Sequence, residues 1–423
     1  MQTQCITLSE PLRKGYTLGL IKLRKVSSFI KSSSFYFEII YLALFMLKLR
    51  KLLILCLFSF VVLAHAQDQT AKIDSLVRSY YPNSNDPGMA LLITDVGKGA
   101  IYSKAQGMAS LEDRTSLDLA SNFRMASVSK QFTAYAIYQL YKEGKLKLTD
   151  SIGKFLPVLK GAAGSIKISE LLNHTSGIKD YENIIPQQQE EQLSDADVLR
   201  LVSRYQDAFT KADRHFKYSN TAYCLLSLIV EQVSGRPYAD YMKTNVFDPL
   251  GMGQTQIFEQ DADITNRAFG YTILDTNFVF ADQSITSATK GDGGVYCSAL
   301  DYQLWANHVM QLAMSNREYG KDLLRQELIS KVTTDVDYSL GWFVLKNKDG
   351  HICLLHSGES TGFHNIVLVI PQEGRAISLF TNRDDMQISS FFDQILTALN
   401  IQLIGINGKE VFRWLSDAYA DKL

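Results

Sequence analysis

Ser127 and Lys130 stand three residues apart at the head of the apolar stretch RMASVSKQFTAYAIYQLYKEG, residues 124–144. An i, i+3 pair at a helix start shares one face, so the lysine amine can reach the serine hydroxyl. The unpaired N–H groups and positive dipole end of such a helix favour both a depressed lysine pKa and an oxyanion. Spacing alone proves little, because Ser-x-x-Lys also occurs at Ser28–Lys31, Ser151–Lys154 and Ser287–Lys290. Only the pair at 127 and 130 opens a helical apolar pattern. The plainer reading of Ser127 is an ordinary helix N-cap.

A serine hydroxyl is a weak nucleophile until a base takes its proton, so further polar groups must converge on it. One candidate is FKYSNTAYCLL, where Tyr218 and Asn220 lie two apart before an apolar helix. In an extended segment that spacing aims both side chains one way, a phenol for proton transfer and an amide for a substrate carbonyl. Tyr-x-Asn recurs at Tyr81 and Tyr181, and the plainer reading is a core tyrosine beside a capping asparagine. The other candidate is LLHSGESTGFHN, where His356-Ser357-Gly358 ends an apolar strand. Gly358 would let a substrate backbone approach the strand edge, and the N–H after it could complete an oxyanion hole. Against this, His356 reads as a strand-end histidine without a role. No HExxH motif or close His/Cys cluster suggests a metal.

The elements that must position these residues change period along the chain. A helix is expected over 69–80, then GMALLITDVGKGAIYSKAQG gives two β-rich runs about Gly97-Lys98-Gly99, a hairpin. From Ser127 to about Ser330 the patterns KQFTAYAIYQLYKEG, ISELLNH, SDADVLRLVSRY and TAYCLLSLIVEQVSG repeat apolar residues at three and four, the last ending on the C-cap candidate Gly235. From Tyr338 the period returns to two. SLGWFVLKNKDG, HICLLHSG, FHNIVLVIPQEG and RAISLFTN read as an antiparallel meander with turns at 348–350 and 372–374, followed by a helix from Ile388 to Leu403. These patterns predict an α/β (α+β) fold. Residues 67–145 and 330–405 would form an α/β lobe with an antiparallel sheet flanked by helices, and 146–329 an inserted all-helical lobe. Residues 406–423 read as a short tail. The stretch NHTSGIKDYEN is expected to line the cleft.

Bulk composition excludes some classes. The 423 residues carry 43 Lys and Arg against 44 Asp and Glu, a net charge of -1 that points to no nucleic-acid partner. Met46-Leu-Lys-Leu-Arg-Lys51, the apolar run Leu52 to Leu63 and Ala64-His65-Ala66 together read as a signal peptide, with the mature chain starting at Gln67. Residues 1–45 then form an upstream extension absent from the mature protein, and Met46 is the expected initiator. The product would be exported, periplasmic or extracellular, touching a membrane only through this segment if it is retained. Only Cys224, Cys297 and Cys353 survive cleavage, an odd count that makes no disulfide framework. Cys224 and Cys353 fit small core residues.

In order, Ser127-x-x-Lys130, Tyr218-x-Asn220 and His356-x-Gly358 resemble the three motifs of the serine β-lactamase and penicillin-binding protein superfamily. The class C-like branch, which includes class C β-lactamases, D-alanyl-D-alanine carboxypeptidases, D-aminopeptidases and esterases, is most similar. The likeness runs over residues 70–403 and takes in LTDSIGKFLP, ISELLNHTSGI and GDGGVYCSALDY. It implies a β-lactamase/transpeptidase-like fold and a serine hydrolase needing no cofactor, a monomer acting on a small-molecule or peptide substrate. By the same resemblance Ser127 is the acylated nucleophile and Lys130 its proton acceptor, Tyr218 exchanges a proton with the leaving group, and Asn220 holds the substrate amide. The N–H groups of Ser127 and Glu359 form the oxyanion hole. Whether Lys130 or Tyr218 is the base stays open. His356 stands where the family's third motif usually has lysine, which removes a fixed positive charge and favours esters or peptides without an essential carboxylate over β-lactams. Two other readings remain: a penicillin-binding protein that deacylates slowly on cell-wall peptides, and a silent relative that binds wall fragments.

Overall fold

The computed structural model describes residues 69–423 apart from 98, 206–214, 261, 315–316, 327 and 407, and, separately, residues 38, 41–42 and 44–54. Residues 1–69 and 70–423 are two units. In the first, the described residues are helical, while the cleavage site expected after Ala66 lies outside the described residues. Among the described residues no helix is long and apolar enough to cross a membrane.

The second unit is built on one antiparallel sheet of eight strands, numbered here in chain order: β1 Met89–Asp95, β2 Gly99–Gln106, β3 Ser330–Lys331, β4 Asp337–Ser339, β5 Trp342–Lys346, β6 Ile352–Ser360, β7 Phe363–Ile370 and β8 Arg375–Thr381. Their spatial order is β3-β4-β5-β6-β7-β8-β1-β2. The stretch 146–329 is not all helical as expected: Tyr271–Leu274 and Asn277–Phe280 form a hairpin, and Gln256–Ile257 pairs with Val295–Cys297, short strands whose few residues give too little period to be read in the sequence. The expected hairpin is β1 with β2, and the expected meander runs from β5 to β8, with Gly350 and Gly374 turning at φ 80° and 63°. Those positive angles explain why both turns end in glycine. β1 and β8 pair from Met89↔Thr381 to Asp95↔Arg375, so the two ends of the chain close one sheet.

Both faces of the sheet are covered, and this is why β7 reads FHNIVLVI with every residue buried instead of alternating polar and apolar. Alternate side chains feed two cores. Leu92, Leu354, Val367 and Val369 join the core beneath helices α2 (Lys130–Lys142), α4 (Asn220–Ser234) and α5 (Ala299–Met314). Leu91, Leu355, Ile366 and Leu368 face α1 (69–80), α6 (Gln387–Ala398) and α7 (Val411–Tyr419). Each such side chain contributes about 1.5–3 kcal/mol by leaving water.

The remaining long helix, α3 (Asp195–Arg204), starts at Ser194, which accepts from the Asp197 N–H while Asp197 reaches back to the Ser194 N–H. This capping box is spelled by the sequence SDAD. α4 ends on Gly235 at φ 69°, the expected C-cap. α6 stops at Ala398, short of the expected Leu403, because Asn400 adopts φ 57° and turns the chain. The stretch read as a tail instead holds α7. Its Val411, Phe412, Trp414, Leu415 and Ala418 repeat at three and four and are buried in the second core. Cys224, Cys297 and Cys353 are all buried and unpaired.

Candidate active site

Ser127 sits on a tight 3-10 turn, Ala126–Ser129, that runs straight into α2. Ala126 holds φ 47°, a conformation that costs an alanine about 1–2 kcal/mol. The surroundings enforce it. The Met125 N–H donates to the Val295 carbonyl at 2.8 Å, the Val295 N–H donates to Ser129 Oγ at 3.1 Å, and Asn365 Nδ2 donates to the Arg124 carbonyl at 2.8 Å. Ser127 is no N-cap; its hydroxyl faces the cleft, and Lys130 is on the same face one turn later.

Lys130 is fully buried, and its amine has three contacts: Ser127 Oγ at 3.0 Å, Asn220 Oδ1 at 2.8 Å and the Asp292 carbonyl at 3.0 Å. Burial pulls its pKa below the usual lysine range, against the opposing pull of the Asp292, Asp180 and Glu182 carboxylates. The amine also stands 4.9 Å above the Tyr218 ring and 5.6 Å from that of Tyr223.

Tyr218 and Asn220 reach this cluster differently from the expected extended segment. Ser219 caps α4 through its hydroxyl and Asn220 is the first helical residue. Asn220 bridges Lys130 and Glu182, since Oδ1 accepts from Lys130 and Nδ2 donates to Glu182 at 3.1 Å, and burial raises the pKa of Glu182 to about 7. Its backbone N–H donates to Asp180 at 2.5 Å. The Tyr218 ring lies 4.4 Å from that of His174 and 4.5 Å from that of Tyr419. Its buried hydroxyl lies against the Ser127 side chain without a well-aligned hydrogen bond, and burial holds its pKa well above the ordinary tyrosine value while Ser127 pulls it the other way.

The third motif lies beside the first, but its residues are placed otherwise than expected. A Cβ on Gly358 would fall 2.1 Å from the Met125 carbonyl oxygen, so the close approach that requires glycine is that of the nucleophile turn itself. His356 is fully buried and does not line the cleft. Nδ1 faces the Ser357 carbonyl at 2.6 Å and the Tyr419 hydroxyl at 3.2 Å, and Nε2 lies 3.4 Å from the Tyr338 hydroxyl. Burial lowers its pKa to about 3, which leaves the ring neutral. Glu359 does line the cleft and accepts from the Ser416 hydroxyl at 2.7 Å; burial raises its pKa.

The cleft has a volume of about 670 Å³. Its walls carry Ser127, Lys217, Tyr218, Asn220 and Glu359 together with Lys179, Asp180, Glu182 and Asn183 of the NHTSGIKDYEN stretch. Ser416, Tyr419, Ala420 and Asp421 complete it from α7 and the residues after it. Those four escaped the reading of the sequence, although the apolar spacing of VFRWLSDAY marks the helix that carries them. Also missed was a buried group behind Lys130, where ligand atoms of Asp195, Cys224 and Asp292 lie within 4.8 Å of one another. Asp195 accepts from the N–H groups of Lys290 and Gly291 at 3.2 and 3.5 Å. Burial and the neighbouring Asp292 raise its pKa to about 7.

A protein-family model described as Beta-lactamase matches residues 73–393. The chain is 24% identical over 364 residues to "Protein flp" of Staphylococcus aureus (strain COL), covering 84% of this chain and 70% of that one. Among solved structures it is similar to a penicillin binding protein from Bacillus halodurans, at 24% identity and a TM-score of 0.65 over 78% of this chain and 98% of the other. It is also similar to a D-amino acid amidase from Ochrobactrum anthropi SV3, at 20% identity and a TM-score of 0.67 over 79% and 99%. The fold is thus the β-lactamase/transpeptidase-like one expected, and the chain belongs to the beta-lactamase family of serine hydrolases.

Proposed function

We propose that the protein is an exported hydrolase that forms an acyl-enzyme at Ser127 and cleaves amides or esters whose acyl part needs no carboxylate. The observation that carries this reading is the set of three contacts at Lys130 Nζ. Two are carbonyl oxygens, which only accept, so a neutral amine donates both its hydrogens to Asn220 and Asp292. Its lone pair then faces the third contact, the Ser127 hydroxyl at 3.0 Å, the one partner able to donate.

In the acylation step Ser127 Oγ bonds to the substrate carbonyl carbon and its proton passes to Lys130. The oxyanion is held by the N–H groups of Ser127 and Glu359, each worth about 3 kcal/mol in such sites. Tyr218, whose buried hydroxyl lies against Ser127, gives a proton to the leaving nitrogen or oxygen as the carbonyl reforms and is reprotonated by the proton that Lys130 took. Water then attacks the ester, and the same groups return Ser127 to its starting state. Asn220 has one Nδ2 hydrogen beyond that given to Glu182, which suits a substrate carbonyl. The neutral, buried His356 supplies no positive charge beside the nucleophile; the cleft walls carry Lys179 and Lys217 against Asp180, Glu182, Glu359 and Asp421, with burial raising the pKa of the first three acids.

The test is mass spectrometry of the intact protein after a p-nitrophenyl ester pulse quenched in acid. The reading requires one added acyl group, mapped to the peptide containing Ser127 and absent from Ser127→Ala. Labelling elsewhere, or equal labelling of the variant, overturns it. For export, N-terminal sequencing of secreted protein is expected to begin at Gln67; a chain retained from Met1 contradicts that part.

A further inference from the structure

The match to the family ends at residue 393, yet α7, at Val411–Tyr419, places Tyr419 against the third motif. β5 pairs with β6 only as far as Phe343↔Leu355, so beyond Leu355 that edge of β6 is open. Backbone groups alternate sides along an antiparallel strand, and Ser357 and Glu359 therefore both present their N–H and carbonyl to this open edge. At Ser357 the edge is already taken. The Ser357 N–H donates to the Tyr419 hydroxyl at 3.2 Å, the Tyr419 hydroxyl stands 3.1 Å from the Ser357 carbonyl, and the Ser357 hydroxyl is 2.8 Å away. One phenol thus fills the place of a strand residue.

Ser416, one turn earlier on the same helix, holds the Glu359 side chain at 2.7 Å. The helix is anchored by Phe412, Trp414 and Leu415 in the core, so Tyr419 is not a loosely tethered group. Its ring also lies 4.5 Å from that of Tyr218.

We infer that Tyr419 is a specificity-determining residue that occupies the Ser357 rung of β6, so that the site takes small amides and esters engaging Glu359 alone and excludes extended peptides. A peptide added to an exposed edge gains main-chain hydrogen bonds at alternate residues, and one with its first rung blocked loses them. This inference rests on the acyl-enzyme reading for its meaning, but its test does not.

In the test, binding of acetylated one-residue and four-residue peptide amides is measured by calorimetry on Ser127→Ala and on Ser127→Ala/Tyr419→Ala, with recovery of the intact amide checked by chromatography after each titration. The first protein is expected to bind the four-residue amide at least tenfold more weakly than the one-residue amide, and the second to bring the two affinities within threefold. Ser127→Ala/Tyr419→Phe, which keeps the ring, keeps α7 packed should the alanine variant fail to fold; it is expected to narrow the gap at least threefold. Equal affinities in Ser127→Ala, or a gap unchanged in both folded double variants, overturns the inference whatever the outcome at Ser127. Failure of the acyl-enzyme reading would instead show in the mass of the active protein.

Discussion

Gly358 and Met125 are pressed together so closely that a methyl group on the first would lie 2.1 Å from the carbonyl oxygen of the second. The nucleophile turn and the third-motif strand therefore fix each other's position, with Ala126 strained at φ 47° between them. For Gly358→Ala the expected outcome is a displaced turn and a loss of about 10²-fold in kcat/KM, the usual cost of misplacing a reacting group by about 1 Å. Ester hydrolysis by the folded variant checks this. Wild-type activity would mean that the turn is not held from that side.

Lys130→Met is expected to lower kcat by about 10² to 10⁴-fold, the range for a lost general base. Lys130→Arg should fare no better, because a guanidinium does not release its proton. Single-turnover ester kinetics on both variants, with the wild type beside them, provide the measurement.

The pH dependence follows from the same amine. Lys130 must be neutral to act, so kcat/KM rises with pH up to its lowered pKa and then levels. Burial sets that lowering and Asp292 opposes it. Asp292→Asn should accordingly move the rising limb to lower pH; a shift to higher pH would show that Asp292 acts otherwise than by charge.

Asp195 carries a stability prediction of definite sign. Its pKa is raised to about 7 from the ordinary aspartate value of 3.8, first by burial and second by Asp292. The folded state holds this proton more tightly than the unfolded chain, so the contribution is fully present below about pH 4 and is lost as pH rises through about 7. The wild type is expected to lose Tm as pH rises from about 5 to about 8 in thermal melts, and Asp195→Asn should flatten that fall. An equally steep fall in the variant would exclude this carboxyl as its source.

Much of this site can be read in the chain because its residues sit at element boundaries with strong local signals. Ser127 and Lys130 stand at the head of one apolar helix, Tyr218 and Asn220 at the head of another, and the change from period three to period two marks where the sheet returns. Other features depend on contacts between distant residues. Nothing near Gly358 says that its neighbour will be Met125, 233 positions earlier, and nothing near His356 says that an aromatic at 419 will cover it. The neutrality of His356 has the same origin, since it results from burial beneath Tyr338, Phe343 and Tyr419. α7 is a different case. Its apolar spacing is plain, but nine residues after Asn400 and Gly405 give no sign of what they pack on.

The central claim is acylation at Ser127, and the most direct measurement is the early time course of p-nitrophenyl ester hydrolysis by purified wild type and Ser127→Ala. The account predicts a burst of nitrophenol equal to the enzyme concentration, followed by a slower steady release set by deacylation, with no burst in the variant. Equal slow release from both proteins without a burst would contradict it.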